Sequence, residues 1–387
     1  MSRVPDQVFV EDWDPKDSSV LRDQISAYDN MRRRCPVAHS EAMHWSLFRH
    51  ADVVRALRDP RTYSNEVSTH LSVPNGIDPP LHSDYRAIID PYFSRERIDA
   101  FEPVCREIAE GLIGKLPIDR AVEVMSELAQ PFALKAQSAF LDWPVHLHEP
   151  LRQWTMRNRE ATLAQDPVAT AAVAQEFDGY IRDLLETRRQ AATPSDDVTS
   201  RLLRERIRGR LLTDEEIVSI LRNWTVGELT TIAACVGILV HYLAEHPSVQ
   251  QQLRQMPTAL PTAIDEVLRI HPPLLTSRRK TTRPVTVGGK FMAAGSRVTL
   301  MWASANRDER AFDAPDEFQL DRNPDENLLY GLGIHVCPGA PLARLELRVI
   351  MEELLAYTEW FSPQPNQPPV RAMYPASGYF ETWVALG

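Results

Sequence analysis

Apolar residues recur at spacings of three and four along Val104 to Leu116, Val173 to Leu185 and Val249 to Met256. That spacing lays one apolar stripe along a helix and predicts amphipathic helices packed on a core. The longest predicted helix opens at Thr213-Asp214-Glu215-Glu216. Thr213 can cap it and Glu216, three residues on, can close a capping box. No proline interrupts the pattern before His246-Pro247. A helix of this length, about 32 residues, spans about 48 Å at 1.5 Å per residue, enough to cross a domain. Its longest apolar stretch, Ile232 to Val240, is about half of what a bilayer requires. Arg222, Asn223 and Glu228 interrupt the rest, so a central buried helix is expected.

After Arg278 the period shortens to two. Val285 to Phe291 and Ser296 to Leu300 alternate and are separated by glycine-containing turns, which predicts short strands. Asn306 to Pro324, rich in Asp, Pro and Arg with Phe312 and Phe318 inserted, is expected to meander and to be pinned by side chains. A further helix is predicted over Ala340 to Tyr357, and a hairpin near Ser377-Gly378-Tyr379-Phe380. The fold class expected is mainly α with a minor β region.

Composition narrows the function. With 387 residues, 43% hydrophobic and 25% charged, the chain can bury a deep core and is expected to form a single domain. A net charge of −10 argues against a nucleic-acid partner, since phosphate binding needs a positive surface. Cys35, Cys105, Cys235 and Cys337 are scattered with no Cys-x-x-Cys pair, so neither a zinc site nor a disulfide framework is indicated. The polar, acidic N-terminus lacks the layout of a signal peptide or membrane anchor, and a cytoplasmic protein with no membrane partner is expected.

The stretch carrying the most chemistry runs from Tyr330 to Arg344: Tyr-Gly-Leu-Gly-Ile-His-Val-Cys-Pro-Gly-Ala-Pro-Leu-Ala-Arg. It puts one cysteine in a glycine-punctuated loop ahead of a helix. Glycines at 331, 333 and 339 allow positive φ and close approach to a flat ligand, and the helix N-terminus offers N–H groups and a positive dipole end to a thiolate. An isolated cysteine in such a loop is most often a buried structural thiol. This one lies in a pattern that resembles the haem-binding signature of the cytochromes P450, aromatic-Gly-x-Gly-x-His-x-Cys-x-Gly followed by Leu-Ala, with Tyr330 where Phe is usual.

The resemblance extends along nearly the whole chain and implies the P450 fold, haem b as cofactor, and Cys337 as the metal ligand. It implies that His82 and Arg86 of Asp78-Pro79-Pro80-Leu81-His82-Ser83-Asp84-Tyr85-Arg86, together with Arg279 and His335, hold the haem propionates. Glu266 and Arg269 match the family's Glu-x-x-Arg pair, joined by Arg322 from the meander into a structural triad. On the long helix, Thr225-Val226-Gly227-Glu228-Leu229-Thr230-Thr231 resembles small-Gly-x-acid-Thr-Thr. Aligning Gly227 and Thr230 puts Leu229 where the acid usually stands and Glu228 one place earlier, about 100° around the helix. Thr230 and Glu228 are the expected catalytic residues, for proton delivery. Either Glu228 relays protons by another water path, or the enzyme uses hydrogen peroxide directly.

The activity implied is a haem-thiolate monooxygenase that hydroxylates or O-demethylates a small apolar, aromatic, methoxyphenol-like substrate with dioxygen. The alternatives are a peroxygenase and a non-catalytic haem-binding protein. By family position the substrate pocket is expected from Val67 to Val73, Trp154, Val226, Leu274 to Thr276 (with Leu275 and Thr276 foremost), Tyr379 and Phe380. The acid-shifted segment resembles P450s served by a reductase carrying flavin and a [2Fe–2S] centre; that or a ferredoxin system is the expected electron donor. No fused reductase is expected. Arg95, Arg97 and Arg106 are the expected docking patch for the donor, despite the acidic total.

Overall fold

A computed structural model describes residues 11–164, 166–191, 196–374 and 376–387. The long helix runs Asp214–Glu245. Thr213 Oγ1 accepts the Glu216 N–H at 3.3 Å and the Glu216 carboxylate accepts the Thr213 N–H at 2.7 Å, the reciprocal box that the sequence predicts. Pro247, which cannot continue the hydrogen-bond ladder, begins the next helix, Pro247–Gln255. By length and composition the long helix is apolar enough to cross a membrane, but 67% of its most apolar window is buried inside the fold. Helices Gln130–Phe140, Pro167–Gln190, Leu260–Ile270 and Ala340–Tyr357 pack around it. Arg95–Ile113 packs along Ala340–Tyr357 on the far side.

The minor β region is larger than its pattern suggests. Strands Val37–Ser40, His44–Leu47, Arg297–Leu300, Ser277–Thr281 and Tyr63–Ser64 form one sheet in that order. The pairing of His44–Leu47 with Arg297–Leu300 is parallel, with Trp45 opposite Val298. The sequence pattern places the strands after the helices and misses the three from the N-terminal part. Those are two to four residues long, too short for alternation to register; Val37–Ser40 pairs with the adjacent His44–Leu47, while His44–Leu47 and Tyr63–Ser64 are held by partners more than 200 residues away. The expected hairpin at the tail also takes a different form. Gly378 turns the chain at φ 83° into strand Tyr379–Glu381, which pairs back with Val370–Arg371.

Asn306 to Asn323 carries no regular element, and side chains pin it as expected. Arg269 and Glu266, 1% and 4% exposed at their side chains, form a two-point ion pair at 2.7 and 2.9 Å. Arg322 Nε meets Glu266 Oε1 at 2.7 Å. The outer nitrogens of the two arginines donate to the carbonyls of Asn306, Asp313, Ala314, Pro315 and Glu317. Two guanidiniums thus satisfy five backbone acceptors of a segment that has no ladder of its own.

Candidate functional site

Cys337 lies on the wall of a cavity of about 520 Å³ between the long helix and the Tyr330–Gly339 loop. The loop is held by its own backbone, the Cys337 N–H donating to the Tyr330 carbonyl at 2.9 Å. Gly333 adopts φ 75°, and a Cβ there would come 2.6 Å from the Leu57 carbonyl oxygen, so only glycine lets the loop sit against Leu57. Gly331 is also at positive φ, whereas Gly339 is not. The N–H groups of Gly339 and Ala340 lower the Cys337 pKa as a helix start should, but burial raises it more. Such a thiol becomes a stable thiolate only with a cation against it.

Beside the loop, donors converge. The His82 and His335 rings lie 4.2 Å apart. Both His82 nitrogens and Nε2 of His335 are buried with no hydrogen-bond partner. Burial, then the proximity of His82, Arg279 and Arg86, lowers His335 to about 3, and burial lowers Arg279 to about 10. Arg86 is clamped by Asp90 at 2.6 Å and by the carbonyls of Ile334 and Val336, which fastens the Leu81–Ile89 helix to the cysteine loop. Arg279 Nη1 donates to Ser277 Oγ and the Arg278 carbonyl, but those histidine nitrogens have no partner; buried polar atoms left unpaired are costly, and an anionic ligand would supply acceptors.

Opposite, Asn223, Trp224, Gly227, Glu228, Thr231 and Ile232 of the long helix line the cavity, a single face at three- and four-residue spacing. Glu228 is therefore on the wall. Leu229, where the family has its acid, is buried in the core. The Thr230 hydroxyl donates to the Val226 carbonyl at 2.8 Å, the one-turn back-bond expected of it, but the threonine on the cavity wall is Thr231. Helical spacing from Gly227 would have found it.

The loop from Asn65 to Gly76 and the segment Pro272 to Arg279 complete the walls, with Val67, Ser68, His70, Ser72, Asn75, Leu274 and Thr276 facing in. Several expected pocket residues lie elsewhere. Trp154 is 2% exposed, stacks near Phe177 and donates its Nε1–H to the Val173 carbonyl at 2.8 Å. Leu275 is buried in a cluster with Trp13, Tyr28 and Phe48. Val226 packs on the main core. Tyr379 packs against the His241 ring, and Phe380 lies under Arg159. In each case a contact on another face takes the side chain, apolar for Trp154, Leu275 and Val226, with an imidazole or guanidinium for Tyr379 and Phe380. The expected docking patch also changes: Arg106 pairs with Glu102, Glu352 and Glu353, which cancels its charge locally.

A model of the cytochrome P450 family matches residues 161–377. Cyclomarin C epoxidase CymV from Salinispora arenicola is 33% identical over 343 residues, spanning 84% of this chain and 86% of its own. The chain belongs to the cytochrome P450 family. The erythromycin C-12 hydroxylase of Saccharopolyspora erythraea is 31% identical over 354 residues, 88% of this chain and 87% of its own. Among solved structures, open P450 EryK from S. erythraea superposes with a TM-score of 0.87 at 29% identity, covering 96% of this chain and 97% of that one. CYP109E1 from Bacillus megaterium in complex with testosterone gives 0.83 at 27%, covering 96% and 99%. This P450 is an oxidoreductase that binds haem b, as the family does through a cysteine thiolate. The cavity fits that group, with a thiol on one wall and unpaired buried donors at one edge.

Proposed function

We propose that the Cys337 thiolate would hold the haem iron and that the enzyme inserts one oxygen atom of dioxygen into a C–H bond of a substrate carrying hydrogen-bonding groups. The observation that carries the first part is that Cys337, His335 and Arg279 line one cavity, with the His82 ring against His335 and Arg86 bonded to the loop carbonyls of Ile334 and Val336. When bound, the haem supplies the dioxygen-activating redox chemistry, and a thiolate ligand favours O–O cleavage. The protein's own groups do the rest. The Gly339 and Ala340 N–H groups stabilise the thiolate, and His82, His335, Arg86 and Arg279 meet the propionates. Glu228 and Thr231, on the cavity wall of the long helix, serve proton delivery. Electrons come from a redox partner, and the acid-shifted segment supports one carrying flavin and a [2Fe–2S] centre.

The substrate reading rests on the wall opposite the cysteine. Ser68, His70, Ser72, Asn75 and Asn223 add hydrogen-bonding groups to a lining that also carries Phe93, Phe140, Trp224 and Trp302, while Trp154, Tyr379 and Phe380 lie elsewhere. This favours a substrate with hydroxyl or amide groups over a plain methoxyphenol. Two measurements test the proposal. The reduced, carbon monoxide-bound holoenzyme should show the red-shifted Soret band of thiolate ligation; its absence would remove Cys337 as ligand. A ligand panel scored by spin-state shift should favour compounds with several polar groups, and preferential response to methoxyphenols would restore the O-demethylase reading.

A further inference from the structure

Three cations at one end of the five-stranded sheet have no acid to answer them, in a chain whose net charge is −10. Arg278 and Lys280 lie on strand Ser277–Thr281, and Arg297 opens the neighbouring strand Arg297–Leu300. Arg297 stands directly opposite Lys280, and Arg278 opposite Thr299. Among the described residues none of the three side chains makes a hydrogen bond or an ion pair. Like charges opposite one another on a sheet repel, so this arrangement costs stability until something negative settles beside it.

A recess of about 50 Å³ opens among these groups, lined by Met43, His44, Val67, Arg278, Arg279 and Arg297, and no carboxylate lines it. Successive strand residues point to opposite faces. Arg279, opposite Val298, is buried beside the haem-edge donors, while Arg278 and Arg297 face the other way and are exposed. The propionate donors described above therefore leave Arg278 and Arg297 unused. His44 adds a fourth basic group; burial, then the charge of Arg297, lowers its pKa, as uncompensated positive charge should. Acids on neighbouring segments are engaged, Asp12 by Lys290 and the His39 N–H, and Asp78 by the Asn65 N–H. Glu41, next to the recess in sequence, is exposed. Val67, Arg278 and Arg279 also line the main cavity, so the two spaces share a wall.

We infer that this recess takes the anionic end of the substrate, a carboxylate or a phosphate monoester, on Arg278, Arg297 and His44, while the rest of the molecule runs past Val67 into the cavity that Cys337 lines. The inference rests on the monooxygenase reading above and narrows its substrate class to molecules with a terminal negative charge. A guanidinium suits either anion, because its planar fork meets two oxygens at once and keeps its charge at any working pH. A cleft lined by one sign of charge also gathers anions at its mouth. Fixing one end of the substrate sets which carbon is presented for reaction, by its distance from the charge.

Spin-state titration of the ferric holoenzyme tests this with ω-phenylalkanoates of increasing chain length, each beside its methyl ester and the matching phosphate monoester. At the best length an anion should bind about tenfold more tightly than the ester, the size of one charge-assisted contact, and added salt should narrow the gap. The tighter of the two anions identifies the head group. Combining Arg278→Gln with Arg297→Gln should erase the preference while the ester still binds. Neither side chain has a partner to lose, and Arg297→Gln removes the repulsion from Lys280, so that variant should melt no lower than the wild type. No preference for an anion at any length, or a preference that survives in the double variant, overturns the inference. The monooxygenase reading fails separately, by a wild-type carbon monoxide spectrum without the thiolate band.

Discussion

On the cysteine side of the cavity the backbone does the positioning: Cys337 N–H bonds Tyr330, Gly333 fits only as glycine against Leu57, and Arg86 clamps the loop carbonyls. On the long-helix side, positioning is done by side chains reaching between segments far apart in sequence. Ser219 Oγ accepts the Val73 N–H at 2.8 Å and donates to the Leu71 carbonyl at 3.0 Å; Arg222 donates to the same carbonyl, and Asn223 donates to the Val73 carbonyl at 2.9 Å. The first wall is one short motif and tolerates little. The second is a loop latched to a helix by replaceable hydrogen bonds, which lets substrate preference change while the ligand loop stays fixed.

The largest effect is expected at the rigid wall. Cys337→Ala should reduce turnover to background and remove the thiolate-type carbon monoxide spectrum, since no other cysteine lines the cavity among the described residues. Arg269→Ala tests what holds that wall from behind. It leaves the buried Glu266 charge with Arg322 alone and frees the Asn306 and Pro315 carbonyls. Removing one partner of a buried pair costs about 3–5 kcal/mol. Denaturant unfolding should show that loss, together with weaker haem retention; a loss under about 1 kcal/mol, as for a surface pair, would make the triad dispensable.

The same contrast explains what the sequence could show. The Asp214–Glu245 helix was legible because its capping box, apolar run and terminal proline are all local. The Tyr330–Gly339 loop and the Glu266–Arg269 pair were legible because short spacing carries them. The N-terminal strands were not, because they are two to four residues long and two of the three are held by partners far along the chain. The pocket wall was not either: whether Trp154 or Asn223 faces the cavity depends on which neighbour takes the other face. Trp154 is claimed by Phe177 and Val173, a contact that no local pattern announces.

Between the two walls, His271 ends the Leu260–Ile270 helix and leads into Pro272 and Pro273 of the cavity wall. Burial, then the charge of Arg307, lowers its pKa to about 4, against about 6.5 in an unfolded chain. Between those values the unfolded chain binds a proton that the folded chain does not, so stability rises with pH. The contribution is complete above about 6.5 and declines as pH falls toward 4, by up to about 3 kcal/mol. Unfolding free energies at pH 7.5 and 5 should differ in this direction, and His271→Gln should flatten the slope. An unchanged slope would place the acid sensitivity elsewhere.

The smallest expected effect is the one that best separates the walls. Asn223→Ala removes the donor to the Val73 carbonyl, but Ser219 and Arg222 still hold Leu71 and Val73. One neutral hydrogen bond contributes about 1 kcal/mol, so global stability should barely move. The loop, however, needs far less than the whole domain to open. A change of that size raises its open population by about fivefold, and a loop that must close on substrate spends that factor in binding. The expectation is a several-fold rise in KM or in the dissociation constant from spin-state titration, with kcat nearly unchanged and the carbon monoxide spectrum intact. If kcat fell instead and KM held, Asn223 would belong with Glu228 in proton delivery, and the long-helix wall would be bound to the chemistry no less tightly than the cysteine loop opposite.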